Sequence, residues 1–564
     1  KIGVVLLKLN KKKFARKFFQ ISAKEDNDNF KPFFNLANLL KKSDPDLSEK
    51  YIDLALKIEN KPEATILKSH LLINRYQYTA AIKLLEKLKT AESFYLLGLS
   101  HLALGNDSKS KLYFDKSIKF KNNQINFLNL NTFPRVYKKT SDIKYFRNKF
   151  KNLIYENNLL INKNKLTIED KKNIIISKTN FNLAYQQKND IELNKEYFNL
   201  LNNIFKKNEI PKLKYHKDKI LFVSGFFFKH TVSKLFFNFI KEFSKINKLK
   251  VSLLHISENE DDWTCMYKNL DIKFYKITNI QNIFKFLNKE NFSSILFLDH
   301  SMNNISQALI NNKLAKNYFV FWGHPITTGS KNMDYFISSK LMDKGNQNHY
   351  SEKLILLDGI GFNYKIDNKL KDININAMTV KENSFYIPQG LFKFLPKYDY
   401  LLGEILDNNK QSTISFIKDK DPFFNDKFIN RLKRVKKINK NFDRLIFLEG
   451  MSQVSYYKKL ASHKIILDTI GWSGGNTSME ALYLNKPIVT LQGKSLRANH
   501  TAAMLKQINL DILIANNYEE YIFLANKLIK EEEFFKFIVD KIINNKHLIF
   551  DKQISLYEKI KDLL

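Results

Sequence analysis

Short apolar runs that alternate with amphipathic helical patterns constrain the fold of residues 216–564 more than any other feature of the sequence. Predominantly apolar runs separated by helices are typical of parallel sheets covered on both faces. The pattern occurs in two successive blocks and predicts two Rossmann-like domains, at 216–378 and 379–564. The predicted strands are 220–224, 251–256, 295–299, 318–322 and 354–357 in the first block, and 412–417, 445–448, 465–468, 487–491 and 512–515 in the second.

The first 121 residues instead show helical periodicity and an internal repeat. Large and small residues in 91–122 are spaced as two interlocking antiparallel helices require, and looser copies occupy 62–90 and 31–60. We expect a short tetratricopeptide-like α-solenoid at 1–121, with a helical bundle as the alternative, and a helical connector at 122–215. The spacing depends on Phe94, Leu97, Gly98, His101, Gly105, Phe114 and Ser117.

The net charge of +36 invites a nucleic-acid interpretation, but the type of basic residue argues against it. Only eight of the 93 basic residues are Arg, whose planar fork suits phosphate recognition. The bias toward Lys, Asn and Ile is typical of codon drift. We therefore expect no nucleic-acid partner, while the Lys-rich surface leaves peripheral membrane contact open.

Cysteine and histidine usage predicts neither disulfides nor a metal. Cys265 is the single cysteine, and the eleven histidines show no metal-binding spacing. No uncharged apolar run approaches the ~18 residues of a membrane span. We therefore expect a cytoplasmic location and no metal or other cofactor.

Polar residues follow two predicted strands of the first block, at the edge where doubly wound folds place their ligands. His230 and Thr231 begin a helix after the strand that ends at Ser224, where a histidine could contact phosphate or orient an acceptor hydroxyl. An ordinary capping loop explains this segment equally well.

The turn after Trp322 is rich in hydroxyl groups. It contains His324, Thr327 and Thr328 and suits an acceptor or sugar pocket, although a tight turn of no function has the same composition.

At the entry to the second block, Gln389 and Lys393 lie four residues apart and share a face if the segment is helical. Lysine is abundant in this chain, so Lys393 alone is weak evidence for a binding site. It becomes a candidate only when it is considered together with the other segments.

The glycine-rich segment after Asp468 is the strongest candidate. Gly474, Gly475, Asn476 and Thr477 lead from a strand into a helix, whose free N–H groups and dipole suit a pyrophosphate. One turn into the helix, Glu480 could accept hydrogen bonds from ribose hydroxyls.

A second polar stretch follows the next strand of this block and contains Arg497, His500 and Thr501. Arg497 is notable because arginine is rare here, and a cleft that needs a fixed cation would favour it.

Six segments, taken in their order along the chain, resemble the protein O-linked N-acetylglucosamine transferase family, particularly bacterial members that join tetratricopeptide repeats to a GT-B catalytic half. The segments cover roughly residues 180–520. They read VSGFFFKHTVSKL, NFNLAYQQKND, WGHPITTG with DYFISS, IPQGLFKFLP, LDTIGWSGGNTSMEAL and GKSLRANHTAAML, of which NFNLAYQQKND precedes the others in the chain.

The resemblance implies roles for individual residues. His230 matches the active-site histidine, whose role as general base is contested within the family, and Lys393 matches the lysine that binds the diphosphate. The other implied nucleotide-sugar contacts are Gln389, Gly475, Asn476, Thr477, Glu480, Arg497, His500 and Thr501. Eukaryotic members have Gly-His-Thr-Thr where this chain has Gly475-Asn476-Thr477-Ser478, and their Gln-to-Lys spacing is three rather than four.

We therefore expect an inverting, metal-independent transferase that moves GlcNAc or another hexose from a UDP-sugar to an acceptor. The repeats predict a protein or peptide acceptor. Two alternatives stay open: a non-catalytic repeat scaffold with a decayed GT-B half, and a transferase that acts on glycan or lipid-linked acceptors at a membrane surface.

Overall fold

The structure, a computed structural model, describes residues 2–9, 11–41, 43–120, 130–163, 179–205, 216–551 and 553–564. It divides into two compact units, one formed by 1–129 with 421–424 and the other by 130–420 with 425–564. The predicted domain limits at 121/122 and 215/216 fall beside or within stretches outside the described residues. The four predicted domains stay predictions.

The first unit is helical, as predicted. The pair at 91–119 is antiparallel, because Ser117 Oγ donates to the Ala91 carbonyl at 3.0 Å and Ser110 Oγ donates to the Gly98 carbonyl at 2.9 Å. Gly98 lies against the Phe114 ring, where a Cβ would come within 2.5 Å of ring carbons. The helices are Ile2–Lys8, Lys12–Glu25, Phe30–Leu40, Pro45–Ile58, Pro62–Asn74, Tyr78–Leu85, Ala91–Ala103 and Asp107–Lys119.

The second unit contains a seven-stranded parallel sheet with the order β3-β2-β1-β4-β5-β6-β7. Its strands are β1 (His216–Ser224), β2 (Lys250–His255), β3 (Lys273–Lys276), β4 (Phe292–Phe297), β5 (Asn317–Phe321), β6 (Tyr335–Ser339) and β7 (Lys353–Leu357). The main helices of this block are Thr231–Phe243, Asp262–Lys268, Ile280–Glu290, Asn304–Ile310, Lys340–Asp343 and Asn368–Lys371.

A six-stranded parallel sheet follows in the same unit, with the order β10-β9-β8-β11-β12-β13. Its strands are β8 (Lys381–Ile387), β9 (Thr413–Ile417), β10 (Leu445–Leu448), β11 (His463–Leu467), β12 (Ile488–Leu491) and β13 (Ile514–Ala515). The main helices are Asp399–Asn408, Pro422–Lys433, Lys436–Asn439, Gln453–Ala461, Asn476–Tyr483, His500–Gln507, Tyr518–Lys530 and Glu532–Asn545.

These two parallel sheets, together with the helical first unit, confirm the predicted fold class. The sequence analysis missed three strands, β3, β6 and β8. β3 lies at a sheet edge and has exposed lysines at both ends, so it does not form the continuous apolar run that marks a buried strand.

Two further segments of this unit contact the two Rossmann-like blocks. The connector forms the helices Thr140–Lys163 and Ile191–Phe205 with a 3₁₀ helix at Phe181–Gln186 between them, while the last helices are His547–Phe550 and Leu556–Ile560. The chain end returns to the first Rossmann-like block, where Asn317 Nδ2 donates to the Leu563 carbonyl at 2.7 Å. No helix in the described ranges is long and apolar enough to span a membrane.

Candidate functional site

The loop between β11 and the helix Asn476–Tyr483 is organised by one buried carboxylate, Asp468. Its Oδ1 accepts from the Gly474 N–H at 2.7 Å and from Gln389 Nε2 at 3.1 Å. Its Oδ2 accepts from the hydroxyls of Ser473 at 2.6 Å and Thr490 at 2.7 Å. Burial raises the pKa of Asp468, while these hydrogen bonds oppose the shift. Asp468 therefore ties the predicted glycine loop to β12 and to the segment after β8.

Thr501 holds the same loop from the other side. Its backbone N–H donates to Ser473 Oγ at 2.9 Å, and its hydroxyl lies 2.7 Å from that of Ser478 and 3.2 Å from the Gly474 carbonyl. Because all three partners belong to the loop and its helix, the structure gives Thr501 the role of fixing the loop conformation.

The two glycines of the loop leave space in which side chains from other segments converge. A Cβ at Gly474 would meet the Gln389 amide nitrogen and the Thr477 hydroxyl, each at 2.8 Å, and a Cβ at Gly475 would lie 3.9 Å from His500 Nδ1. Glycine is required at 474 because any side chain would overlap these groups.

Lys393 places its ammonium against this loop. Its Nζ lies 3.4 Å from the Ser473 carbonyl, and the residue ends a short 3₁₀ helix, Leu391–Lys393, rather than the longer helix that the spacing suggested. Burial lowers the pKa of Lys393 to about 8, although Asp468 nearby raises it. Gln389 and Lys393 thus reach the same loop without sharing a helix face.

Several buried polar atoms around the loop have no hydrogen-bond partner within the described part of the chain. They are Gln389 Oε1, Thr477 Oγ1 and both ring nitrogens of His500. Burial, followed by the Lys393 charge, lowers the pKa of His500 to about 3, so its ring is neutral. Because buried polar groups normally have partners, this cluster indicates a polar ligand.

His230 caps the helix Thr231–Phe243, which begins where the sequence predicted, so the capping interpretation holds for its Nδ1. Its Nδ1 accepts from the Val232 N–H at 3.2 Å, and its ring stacks on Phe226 with centroids 4.2 Å apart. Burial, together with the charge of Lys234, lowers the pKa of His230 to about 4. A neutral ring that accepts at Nδ1 carries its proton on Nε2, so this arrangement makes His230 a hydrogen-bond donor.

Glu480 lies buried at the boundary between the two Rossmann-like blocks. Its Oε1 accepts from Lys234 Nζ at 2.9 Å and from the Tyr457 hydroxyl at 3.2 Å. In the preceding turn of its helix, Asn476 Oδ1 accepts from the Tyr364 hydroxyl at 2.7 Å. Both residues that the sequence places at a nucleotide therefore also contact the first block.

The structure places Arg497 in a buried ion pair with the connector. Its guanidinium lies 2.9 Å from an oxygen of Asp190 and also donates to the Lys188 carbonyl, and Arg147 lies 2.6 Å from the other Asp190 oxygen. The sequence analysis expected a fixed cation facing a diphosphate. In the structure the Arg497 guanidinium is instead paired with the carboxylate of Asp190. This geometry gives Arg497 a role in holding the connector.

The turn after Trp322 is also held by protein contacts. The Thr327 hydroxyl donates to Glu352 Oε2 at 2.7 Å, while the Thr328 backbone N–H and hydroxyl donate to Glu352 Oε1. These contacts support the tight-turn interpretation for both threonines, since their hydroxyls are occupied by a buried carboxylate that the sequence analysis did not foresee.

His324 differs from those threonines because neither ring nitrogen meets a hydrogen-bond partner in the described ranges. Its ring lies between Phe181, at 4.7 Å between centroids, and His300, at 5.0 Å. Burial lowers the pKa of His324 well below its ordinary value, with further contributions from His300 and Arg497. A neutral His324 stays a candidate for the acceptor or sugar pocket.

The connector contributes Gln187, which lies in the segment NFNLAYQQKND but received no role in the sequence analysis. Gln187 Nε2 donates to the Lys393 carbonyl at 3.1 Å, and its amide packs against Gly471, which has φ of +80°. Tyr185 from the same segment stacks on Trp472 with centroids 4.1 Å apart. The connector therefore braces both the lysine segment and the glycine loop.

Asp468, Lys234 and Gln187 are the main contributors that sequence reasoning missed. Asp468 carried a usable signal, since a carboxylate that ends a buried strand before a glycine pair has several donors within reach. Lys234 and Gln187 carried none, because their partners lie more than 200 residues away in the chain. Among the described residues, no group of three or more His, Cys, Asp or Glu side chains is arranged to hold a metal ion.

Comparison with known proteins agrees with this geometry. The model of glycosyl transferase family 41 matches residues 391–557, which include Lys393 and the glycine loop. The resemblance to the protein O-linked N-acetylglucosamine transferase family is thereby confirmed. The match covers less than half of the chain.

The relatives of this chain include two plant proteins, each named a probable UDP-N-acetylglucosamine–peptide N-acetylglucosaminyltransferase SPINDLY. The Solanum lycopersicum protein is 28% identical over 217 residues, which are 37% of this chain and 23% of the relative. The Arabidopsis thaliana protein is 27% identical over 217 residues, or 36% of this chain and 23% of the relative. The matched stretch spans less than a quarter of either relative.

One solved structure extends the likeness beyond the family 41 domain. A mutant O-GlcNAc transferase from Thermobaculum terrenum superposes with a TM-score of 0.68 at 18% identity, covering 95% of this chain and 96% of that one. At this identity the likeness concerns the fold, and it agrees with the predicted fold class.

We predict that Asp468→Leu lowers the free energy of unfolding of the family 41 domain by about 2–4 kcal/mol. The substitution leaves the Gly474 N–H and the Gln389 amide buried without an acceptor. Chemical denaturation measures the change, with Asp443→Leu, at an exposed site in the same sheet domain, as the control. Equal stability of the two variants would show that Asp468 does not hold the loop.

Proposed function

We propose that this chain is an inverting glycosyltransferase that moves a sugar, GlcNAc or another hexose, from a UDP-sugar to a protein side chain. The observation that carries the proposal is the cluster of unpartnered polar atoms around Gly474 and Gly475, beside the Lys393 ammonium. The match of residues 391–557 to the family 41 model, and the names of the plant relatives, support the donor and the acceptor.

In this mechanism the acceptor oxygen attacks the anomeric carbon from the face opposite the diphosphate, and the bond to the diphosphate breaks. Negative charge grows on the leaving UDP. Lys393 and the first N–H groups of the helix Asn476–Tyr483 lie at one loop and would stabilise that charge electrostatically. The Thr477 hydroxyl, in the first turn of this helix, adds a further donor.

His230 would orient the acceptor in this scheme. Its Nε2–H is free to donate because Nδ1 already accepts from the Val232 N–H. Service as a general base at Nε2 would require the other tautomer, whose Nδ1–H would face that same N–H group. The geometry therefore favours positioning of the acceptor by His230 over proton abstraction.

The protein acceptor would be recruited by the helical unit, since stacked helix pairs present extended binding surfaces. This role for the repeats, and a cytoplasmic site of action, stay predictions. The independence of the reaction from a metal ion and the inversion at the anomeric carbon also stay predictions.

The proposal is tested by incubating the purified chain with a panel of UDP-sugars and measuring UDP release and binding. We expect binding of UDP and stimulation of release by a protein acceptor, with ADP, CDP and GDP as nucleotide controls. Absence of binding to every uridine nucleotide would overturn the catalytic proposal. Binding without transfer to any acceptor would instead support the scaffold alternative.

We predict that Lys393→Ala lowers kcat/KM for the donor by at least about a hundredfold, because a positioned charge at the leaving group is lost. Lys486→Ala is the matched control. Lys486 is also buried, with its pKa lowered to about 8, but it precedes the amino end of β12, whereas Lys393 follows the carboxyl end of β8. Unchanged turnover in Lys393→Ala would remove this lysine from the mechanism.

The pH dependence of kcat/KM should report the ionisation of Lys393 in the enzyme without bound substrate. Its pKa of about 8 lies below the ordinary value, so the ammonium is charged below pH 8 and neutral above it. We expect kcat/KM for the donor to fall about tenfold per unit above this pH. Lys393→Arg, which keeps its charge, should lack this basic limb. A wild-type profile flat to pH 10 would contradict the assignment.

A further inference from the structure

A buried ion pair joins the two Rossmann-like blocks beside the candidate nucleotide loop. Lys234 comes from the helix that His230 caps, and Glu480 comes from the helix that follows the glycine loop. Their charged atoms lie 2.9 Å apart, and the two residues are only 4% and 2% exposed. A pair so completely removed from water has a large desolvation cost and needs close geometry and further hydrogen bonds.

Those further bonds come from the helix Gln453–Ala461 of the second block. The Tyr457 hydroxyl donates to Glu480 and lies 3.4 Å from Lys234 Nζ, while Gln453 Nε2 donates to the Tyr457 hydroxyl at 2.5 Å. Gln453 also donates to Asp367, which forms an ion pair with Lys229 at 2.8 Å. The network therefore connects both blocks through several charged groups.

The bonds are distributed unequally over the Glu480 carboxylate. Lys234 and Tyr457 both bond to Oε1, and neither bonds to Oε2. A carboxylate fixed through one oxygen presents the other in a constant direction, as recognition of neighbouring hydroxyl groups requires. Glu480 lies one helical turn beyond Asn476, in the helix that begins at the glycine loop.

We propose that Lys234 is a positioning residue that orients Glu480 toward the ribose hydroxyls of the donor nucleotide and couples their recognition to contact between the two blocks. The inference rests on the proposed function, since it assigns a ribose to Glu480. It adds that ribose selection depends on a residue of the first block, outside the family 41 domain.

A purely structural ion pair and a positioning pair differ in one measurable way. Loss of a structural pair weakens the binding of every nucleotide equally. Loss of a positioning pair weakens UDP far more than 2′,3′-dideoxy-UDP, which lacks the hydroxyls that Glu480 would bind. The ratio of the two dissociation constants is therefore the informative quantity.

The experiment measures both dissociation constants by calorimetry for the full chain and for Lys234→Met, Lys234→Gln and Lys234→Arg. We expect the unsubstituted chain to prefer UDP by on the order of ten- to a hundredfold, the effect of hydrogen bonds to a charged group. The preference should approach one in Lys234→Met and Lys234→Gln and recover in Lys234→Arg. Lys241→Met, at an exposed site on the same helix, should leave it unchanged.

The outcomes separate the two proposals. Failure of the unsubstituted chain to bind UDP overturns the proposed function and, with it, the ribose role of Lys234. Binding with a preference for UDP that survives in Lys234→Met or Lys234→Gln overturns the Lys234 inference alone. If Lys234→Met does not fold, as judged by circular dichroism, Lys234→Gln decides the question. Its side chain is polar but uncharged, and it is one bond too short to replace the lysine ammonium at Glu480 Oε1.

Discussion

The buried carboxylate of Asp468 is the interaction on which the candidate site depends. A glycine-rich loop has no intrinsic reason to adopt one conformation, because glycine loses more backbone entropy on ordering than any other residue. Asp468 offsets this cost by accepting four hydrogen bonds from three separate segments. The direction of the first N–H groups of the following helix depends on that anchor.

The charges of the site are arranged around the same loop. Lys393 approaches it through a carbonyl oxygen and has a lowered pKa because it is removed from water. His230, His324 and His500 all have lowered pKa values for the same reason, so none contributes positive charge near neutral pH. The cationic character of the site therefore comes from Lys393 and the helix N-terminus rather than from the large net charge of the chain.

The connector has a more direct part in the site than its position between domains suggests. It contributes Asp190 to neutralise Arg497, Gln187 to hold the Lys393 backbone, and Tyr185 to stack on Trp472. The rarity of arginine in this chain correctly marked Arg497 as a significant residue. The sequence does not say, however, whether the partner of this arginine is a ligand or a carboxylate of the protein.

The sequence by itself determined the fold class, because apolar runs report burial. It also predicted the segments of the candidate site, because a strand–glycine–helix order is typical of an anion-binding turn. It also identified Gln389, Lys393 and Thr477 as members of one group. Only the tertiary structure decided how hydroxyl and charged side chains are paired, as in Thr327 with Glu352 and Lys234 with Glu480. Such pairings depend on distances between segments far apart in the chain, and local sequence patterns do not record them.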